Sequence, residues 1–245
     1  MGSPTVTGRA RAFYAREGGV GSELLTVLHV PYTAWHLSYV VIGAALAPHI
    51  DWIRFAGTLV AFFGGTGLAA HALDEWKDRP LRTRLSDRLL FSVTAVGFAL
   101  ATGAVIVGVW LFTPWVIVWA VVGAVLATSY ALEWFRGTLH SDLGFALLWG
   151  GFPVIVGYWV QADGISAAAA GVALAAVILS LVQRSLSTSA RFVRRRTNDA
   201  HAILSTDDGE SHWNRGELLS TWERPLSLMS ISMVILALSL LLQRW

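Results

Sequence analysis

Four side chains in one short stretch, His71, Asp74, Glu75 and Asp78, are spaced i, i+3, i+4 and i+7. If a helix runs through them, all four share one face. Carboxylates stacked this way repel one another unless a cation or basic side chains stand between them. A hard divalent cation such as Mg²⁺ prefers oxygen ligands, keeps several waters, and joins one or two carboxylates to substrate phosphates. Asp74 and Asp78, one helical turn apart, meet that requirement. His71 would ligate metal, orient Asp74, or hydrogen-bond within the fold. With no second histidine at i+4, the pattern does not point to zinc. The alternative is a solvated helix end paired with Lys77, Arg79, Arg82 or Arg84.

A second constellation is basic. Arg191 and Arg195 are four apart and share a helix face, so two planar guanidiniums there could grip a phosphate. The alternative is a topology signal or a contact with anionic lipid. Arg194 and Arg196 point elsewhere on such a helix and read as lipid or topology contacts. His36 lies inside an apolar span, where an ionisable residue is a functional candidate; the alternative is a neutral histidine bonded to a neighbouring helix. Trp35, Trp149 and Tyr158 also lie within apolar spans. An aromatic wall of this kind would stabilise a carbocation by cation–π attraction, and plain packing is the other reading.

The elements that must position these residues are membrane helices. Of 245 residues 55% are hydrophobic and 14% charged, with mean hydropathy +0.57. These values exclude a disordered chain and argue against an ordinary soluble domain. Apolar runs of bilayer-crossing length predict spans at 24–47, 52–73, 89–112, 114–133, 141–161, 165–186 and 225–243. Residues 1–22 form a polar tail, no cleavable signal is evident, and 187–224 reads as a long connection with a short surface helix. Together 1–245 make a single integral membrane domain. Pro114 and Pro225 stand where helix starts tolerate proline, Pro153 predicts a kink, and Gly64, Gly65 and Gly67 predict close helix packing. No cysteine is present, which removes disulfides, thiolate nucleophiles and Cys-ligated metals. The net charge of +2 gives no reason to invoke nucleic acid. Lys77 is the only lysine and lies outside the spans, so a retinal Schiff base in a late helix is excluded.

On these residues the chain resembles the UbiA-type intramembrane prenyltransferases, most of all the branch that prenylates dihydroxynaphthoate. That family carries Asn-Asp-x-x-Asp-x-x-x-Asp after its second helix. Asp74 and Asp78 match the later two aspartates, while Ala70 and His71 replace the leading pair. Residues 144–161, with Gly150, Gly151 and Pro153, are similar to the family's fifth helix, and Pro31-Tyr32-Thr33 fits its first. The resemblance covers roughly residues 24–196. Where the second aspartate motif belongs, this chain has Arg191 and Arg195, and two C-terminal helices are missing. The resemblance implies an all-α bundle of about seven spans with a shortened C-terminal part. It also implies an enzyme acting on an isoprenoid diphosphate, by prenyl transfer or terpene cyclisation. Asp74 and Asp78 would hold Mg²⁺ once a diphosphate is present, with His71 beside them as a further catalytic residue. Arg191 and Arg195 would take over neutralisation of the leaving group, and His36, Trp35, Trp149 and Tyr158 would line the substrate cavity. The alternative is a non-catalytic protein that binds a polyprenyl or quinone-like lipid, or a partner subunit, that has lost the double-metal site.

All but Arg54 and Arg244 of the 18 basic residues fall on the side of the N-terminal tail. By the positive-inside rule that side is cytoplasmic, and seven spans place the C-terminus outside. Accessibility tags on the two termini should therefore report opposite sides of the membrane; tags on the same side would eliminate an odd number of spans.

Overall fold

The computed structural model describes residues 12–16 and 18–244; the N-terminal Arg9 and Arg11 lie outside these. The helices are α1 (Val20–Val27), α2 (Val30–Ala45), α3 (Trp52–Asp78), α4 (Asp87–Leu111), α5 (Val116–Ala131), α6 (Asp142–Ala162), α7 (Ala167–Arg196) and α8 (Arg215–Leu242). A two-stranded hairpin, β1 (Ala202–Thr206) and β2 (Gly209–Trp213), joins α7 to α8. Backbone groups in lipid must be satisfied within the segment, which favours helices, and polar caps finish their ends. Asp51 accepts from the amides of Ile53 and Arg54, Ser86 from Leu89, Ser141 from Gly144 and Ser166 from Ala169. Asn214 and Glu217 form a reciprocal capping box at the start of α8.

Among the described residues, α3, α4, α6, α7 and α8 are long and apolar enough to cross a membrane. The fold is thus a helical membrane bundle. Helices α2 and α5 have 16 residues each, so five helices rather than seven meet the length on their own.

Helix α2 sits at the centre. Trp35, Tyr39 and Ile42 pack with Val154 of α6, Ala173 and Ala176 of α7, and Met233 and Ala237 of α8. Trp35 is 0% exposed and belongs to this core, not to a substrate wall as expected. Tyr158 likewise packs against Ala47 and Ala169. In both, the aromatic area is spent on helix packing.

Small residues bring these helices into backbone contact. A Cβ on Gly43 would meet the Val154 carbonyl, and one on Gly157 would meet the Val40 carbonyl. The same holds for Gly64 against the Gly97 carbonyl, while Gly65 has open space. Two stretches are π-helical, Phe63–Ala70 and Leu147–Gly151. Pro153 stands two residues after the second, so a widened turn inside a continuous helix lies where the kink was expected.

The 187–224 connection is corrected. Helix α7 runs on to Arg196, and α8 begins at Arg215 with Pro225 inside it rather than at its start. The extension has a physical cause: Ala190 and Val193 bury against Leu219, with Trp222 alongside. Arg194 is 4% exposed and pairs with Glu223 at 2.8 Å. It is therefore a buried structural ion pair and not the lipid contact expected.

Gly157→Ala should lower stability in detergent by about 1–3 kcal/mol, because an added methyl meets backbone and cannot be accommodated by a rotamer change. Gly65→Ala should leave the melting temperature unchanged. Comparable melting of both variants would contradict the close α2–α6 contact.

Candidate functional site

The helix through residues 71–78 does form, but its acidic residues divide. Glu75 is fully buried and accepts hydrogen bonds from the amides of Leu81 and Thr83 and from the Thr83 hydroxyl, at 2.8–2.9 Å. It fastens the loop that follows α3 and is not free to ligate. Asp78 is exposed and 3.6 Å from Lys77, which itself reaches Glu133 at 3.0 Å. The Lys77 ammonium, bonded to Glu133, holds that carboxyl below its ordinary range. Asp74 is half-buried, and no hydrogen bond or ion pair joins it to another described residue. The charges acting on it are led by Arg195, then His140, Glu75 and Asp78.

A basic face is supplied by α7, whose Arg195 is the leading charge felt by Asp74. Arg184 pairs with Asp142 at 2.9 Å and lies over the Phe145 ring at 5.5 Å. Arg191 donates to Thr188 Oγ1 at 3.0 Å. Arg195 makes no hydrogen bond or ion pair with a described residue, although it feels Tyr14, Asp74 and Glu75. Two half-buried guanidiniums thus retain unfilled N–H donors.

The third wall comes from the start of α2 and from residues 12–16. His29 breaks the chain between α1 and α2 at φ 46°, ψ 49°, a left-handed conformation rare for residues with a Cβ. The break lets its ring meet His71 at 4.4 Å and Tyr14 at 5.0 Å. Tyr14 also stands edge-on to Tyr32 at 5.4 Å, and burial pushes its phenol up. His71 Nδ1 lies 3.2 Å from the Gly67 carbonyl, while the His71 amide bonds to Leu68. Since a carbonyl only accepts, Nδ1 carries the hydrogen, and Nε2 is left with its lone pair. Tyr32 Oη and His29 Nδ1 are buried with no partner. Each unmade bond of this kind costs about 1–3 kcal/mol.

Next to this polar cluster stands a group of aromatic side chains. His36 stacks on Trp149 at 5.7 Å, and Tyr130 meets Trp149 at 5.9 Å and His140 at 4.5 Å. Trp149 also lines a cavity of about 170 Å³ between α3, α4, α5 and α6. Its walls include Phe62, Phe98, Trp119 and Phe152, and it extends from Leu73 and Thr128 to Ile53 and Arg54. Twenty residues of α3 separate its ends, a length of about 30 Å at 1.5 Å per residue. Arg54 closes the far end, bonded to the Val160 carbonyl and Asp163 and stacked over Phe112 at 4.6 Å.

The structure therefore gathers His36, His71, Asp74, Trp149, Arg191 and Arg195 near one end of the bundle. It leaves Asp78 at the rim and puts Trp35 and Tyr158 in the core. Tyr14, His29, Tyr32, Tyr130, His140 and Arg184 were not foreseen. One signal was available: His29, Tyr32 and His36 are spaced i, i+3 and i+7.

No family model, curated protein or solved structure matches the chain.

Glu75→Ala should cost on the order of 1.5–3 kcal/mol or more, because charge-assisted bonds to two amides are lost. It should also open residues 79–86 to proteolysis. Asp78→Asn should change neither stability nor cleavage; equal effects from the two would refute the division of the acidic cluster.

Proposed function

We propose that the chain is a divergent UbiA-like membrane enzyme acting on an isoprenoid diphosphate, by prenyl transfer or terpene cyclisation. The observation that carries this reading is that Tyr130, which feels the charges of Arg191 and Asp74, stands against Trp149, and Trp149 in turn lines the apolar groove. An amphiphile with an anionic head and a long apolar tail fits that sequence of surfaces. In this reading the bundle crosses the membrane seven times, α2 and α5 included, and the charged end faces the cytoplasm, as the placement of basic residues favours.

The carboxylates suit Mg²⁺ held jointly with substrate. Asp74 is unbonded and Asp78 is open to solvent one turn away, so both have free oxygens. An ion held by these two carboxylates would take the rest of its ligands from phosphate and water. When bound, Mg²⁺ would supply charge neutralisation to the diphosphate leaving group. The protein's own part is electrostatic. Arg191 and Arg195 hold the head and stabilise its developing charge in a partly desolvated chamber. Trp149, Tyr130 and His36 surround the carbon that becomes cationic. His71 Nε2 stands ready to accept a proton.

A second reading, a non-catalytic carrier of a polyprenyl or quinone-like lipid, is favoured by one observation. Glu75 is committed to the backbone and Asp78 lies at the rim, so a single carboxylate faces the chamber.

Calorimetry with geranyl diphosphate tests the site. Arg195→Ala should weaken binding roughly 10- to 150-fold, the loss of one charge-assisted contact. Mg²⁺ should strengthen binding to the wild type, and Asp74→Asn should remove that increment. Binding unaffected by Arg195→Ala would overturn the reading. Comparing lipids of cells with and without the protein by mass spectrometry then separates the two readings: a new prenylated or cyclised product supports the enzyme, and an unchanged profile supports the carrier.

A further inference from the structure

We infer that Tyr32 and His29, together with Arg191 and Arg195, form a phosphate subsite built from protein donors alone, which holds a phosphate group without a metal ion and apart from Asp74 and Asp78. This rests on the functional reading above and assigns the terminal phosphate of the head to particular side chains.

The observations are independent of the acidic cluster. Tyr32 Oη and His29 Nδ1 are both buried without a hydrogen-bond partner, on adjacent turns at the start of α2. Tyr32 lies in the field of Arg194, Arg191 and Glu223, and His29 in that of His71, Arg195, His36 and Arg191. Arg194 and Glu223 are taken up by each other. What remains is a set of groups that can all donate: the Tyr32 hydroxyl, one His29 nitrogen, the N–H groups of Arg195, and those of Arg191 beyond the one given to Thr188. An ionised phosphate presents only acceptors, and guanidinium forks match its oxygens in pairs. The donors come from two segments distant in sequence, the start of α2 and the end of α7.

The His29 backbone supports the assignment. A residue with a Cβ is held in the left-handed region where it turns its ring toward this cluster, and such local strain concentrates at ligand sites. Tyr14 covers the cluster edge-on, shielding it from solvent on that side. The ligand class is a phosphate monoester or the terminal phosphate of a diphosphate. Its sources are an isoprenoid phosphate, a phospholipid headgroup or free phosphate.

The test uses the full chain in phosphatidylcholine nanodiscs with EDTA present. Inorganic phosphate, farnesyl monophosphate and phosphatidic acid are the probes, followed by phosphorus NMR and calorimetry. Tyr32→Phe removes only the hydroxyl, and His29→Asn keeps a residue that tolerates left-handed backbone. Each should weaken phosphate binding roughly 10-fold, the loss of one bond to a charged group, with thermal melting of the phosphate-free protein no lower than that of the wild type, since neither group has a partner to lose. Arg196→Ala, on the exposed side of α7, should have no effect. Tighter binding of farnesyl monophosphate than of phosphatidic acid, with the same sensitivity to Tyr32→Phe, supports the subsite with an isoprenoid source. The reverse order with that sensitivity supports it with a phospholipid source. If Arg195→Ala weakens binding while Tyr32→Phe and His29→Asn do not, this inference falls and the functional reading stands. If neither the monophosphates nor geranyl diphosphate bind, both fall. Phosphate binding that disappears in EDTA also overturns the metal-free subsite.

Discussion

The close approach of α2 and α6, where Gly43 meets the Val154 carbonyl and Gly157 the Val40 carbonyl, is the constraint on which the other contacts depend. In lipid there is no hydrophobic drive to bring apolar helices together, so packing at small residues takes its place. Because α2 is drawn in this tightly, Trp35 and Tyr39 fill the centre of the bundle, and α7 and α8 close around them. The start of α2 is thereby fixed beside α3 and α7. Thr33, His36 and the ring of His29 sit where the chamber is. A looser α2 would leave the donors of α7 without an opposing wall.

The two π-helical stretches carry this packing into chemistry. Within Phe63–Ala70 the widened turns leave Gly64 against α4 and Gly65 facing the groove. They end at His71, whose amide and ring turn to different carbonyls. Within Leu147–Gly151 they place Trp149 between His36 and the groove. Such local widenings are frequent at functional sites. Here each lies where a polar cluster of side chains gives way to the apolar groove.

Much of the scaffold was legible because bilayer-crossing apolar runs leave few alternatives to helix. The helical face of His71, Asp74 and Asp78 and the pairing of Arg191 with Arg195 on α7 follow from periodicity alone. Fates decided by distant chain were not legible. Glu75 sits on the expected face by spacing, yet the loop at Leu81 and Thr83 folds back to it. Arg194 differs from Arg191 only by its place around the helix, and Glu223 decides that it is buried. Trp35 and Tyr158 look like Trp149 in sequence; burial against α7 sets them apart. The extension of α7 to Arg196 depends on Leu219 and Trp222, which come after a hairpin. Tyr14 and His29 join the site only because the chain breaks in a left-handed turn, which periodicity cannot show.

The central claim is that one amphiphile spans the chamber and the groove, head on Arg191 and Arg195 and tail between α3, α4 and α5. A farnesyl diphosphate analogue with a diazirine at its tail end, photolysed on the protein and mapped by peptide mass spectrometry, tests it most directly. The account predicts labels on groove residues such as Ala61, Ala104 and Ala124, which fade with excess inorganic diphosphate and in Arg195→Ala. Labels on the outward face of α4, at Val96 or Ile106, that persist under both conditions would contradict it.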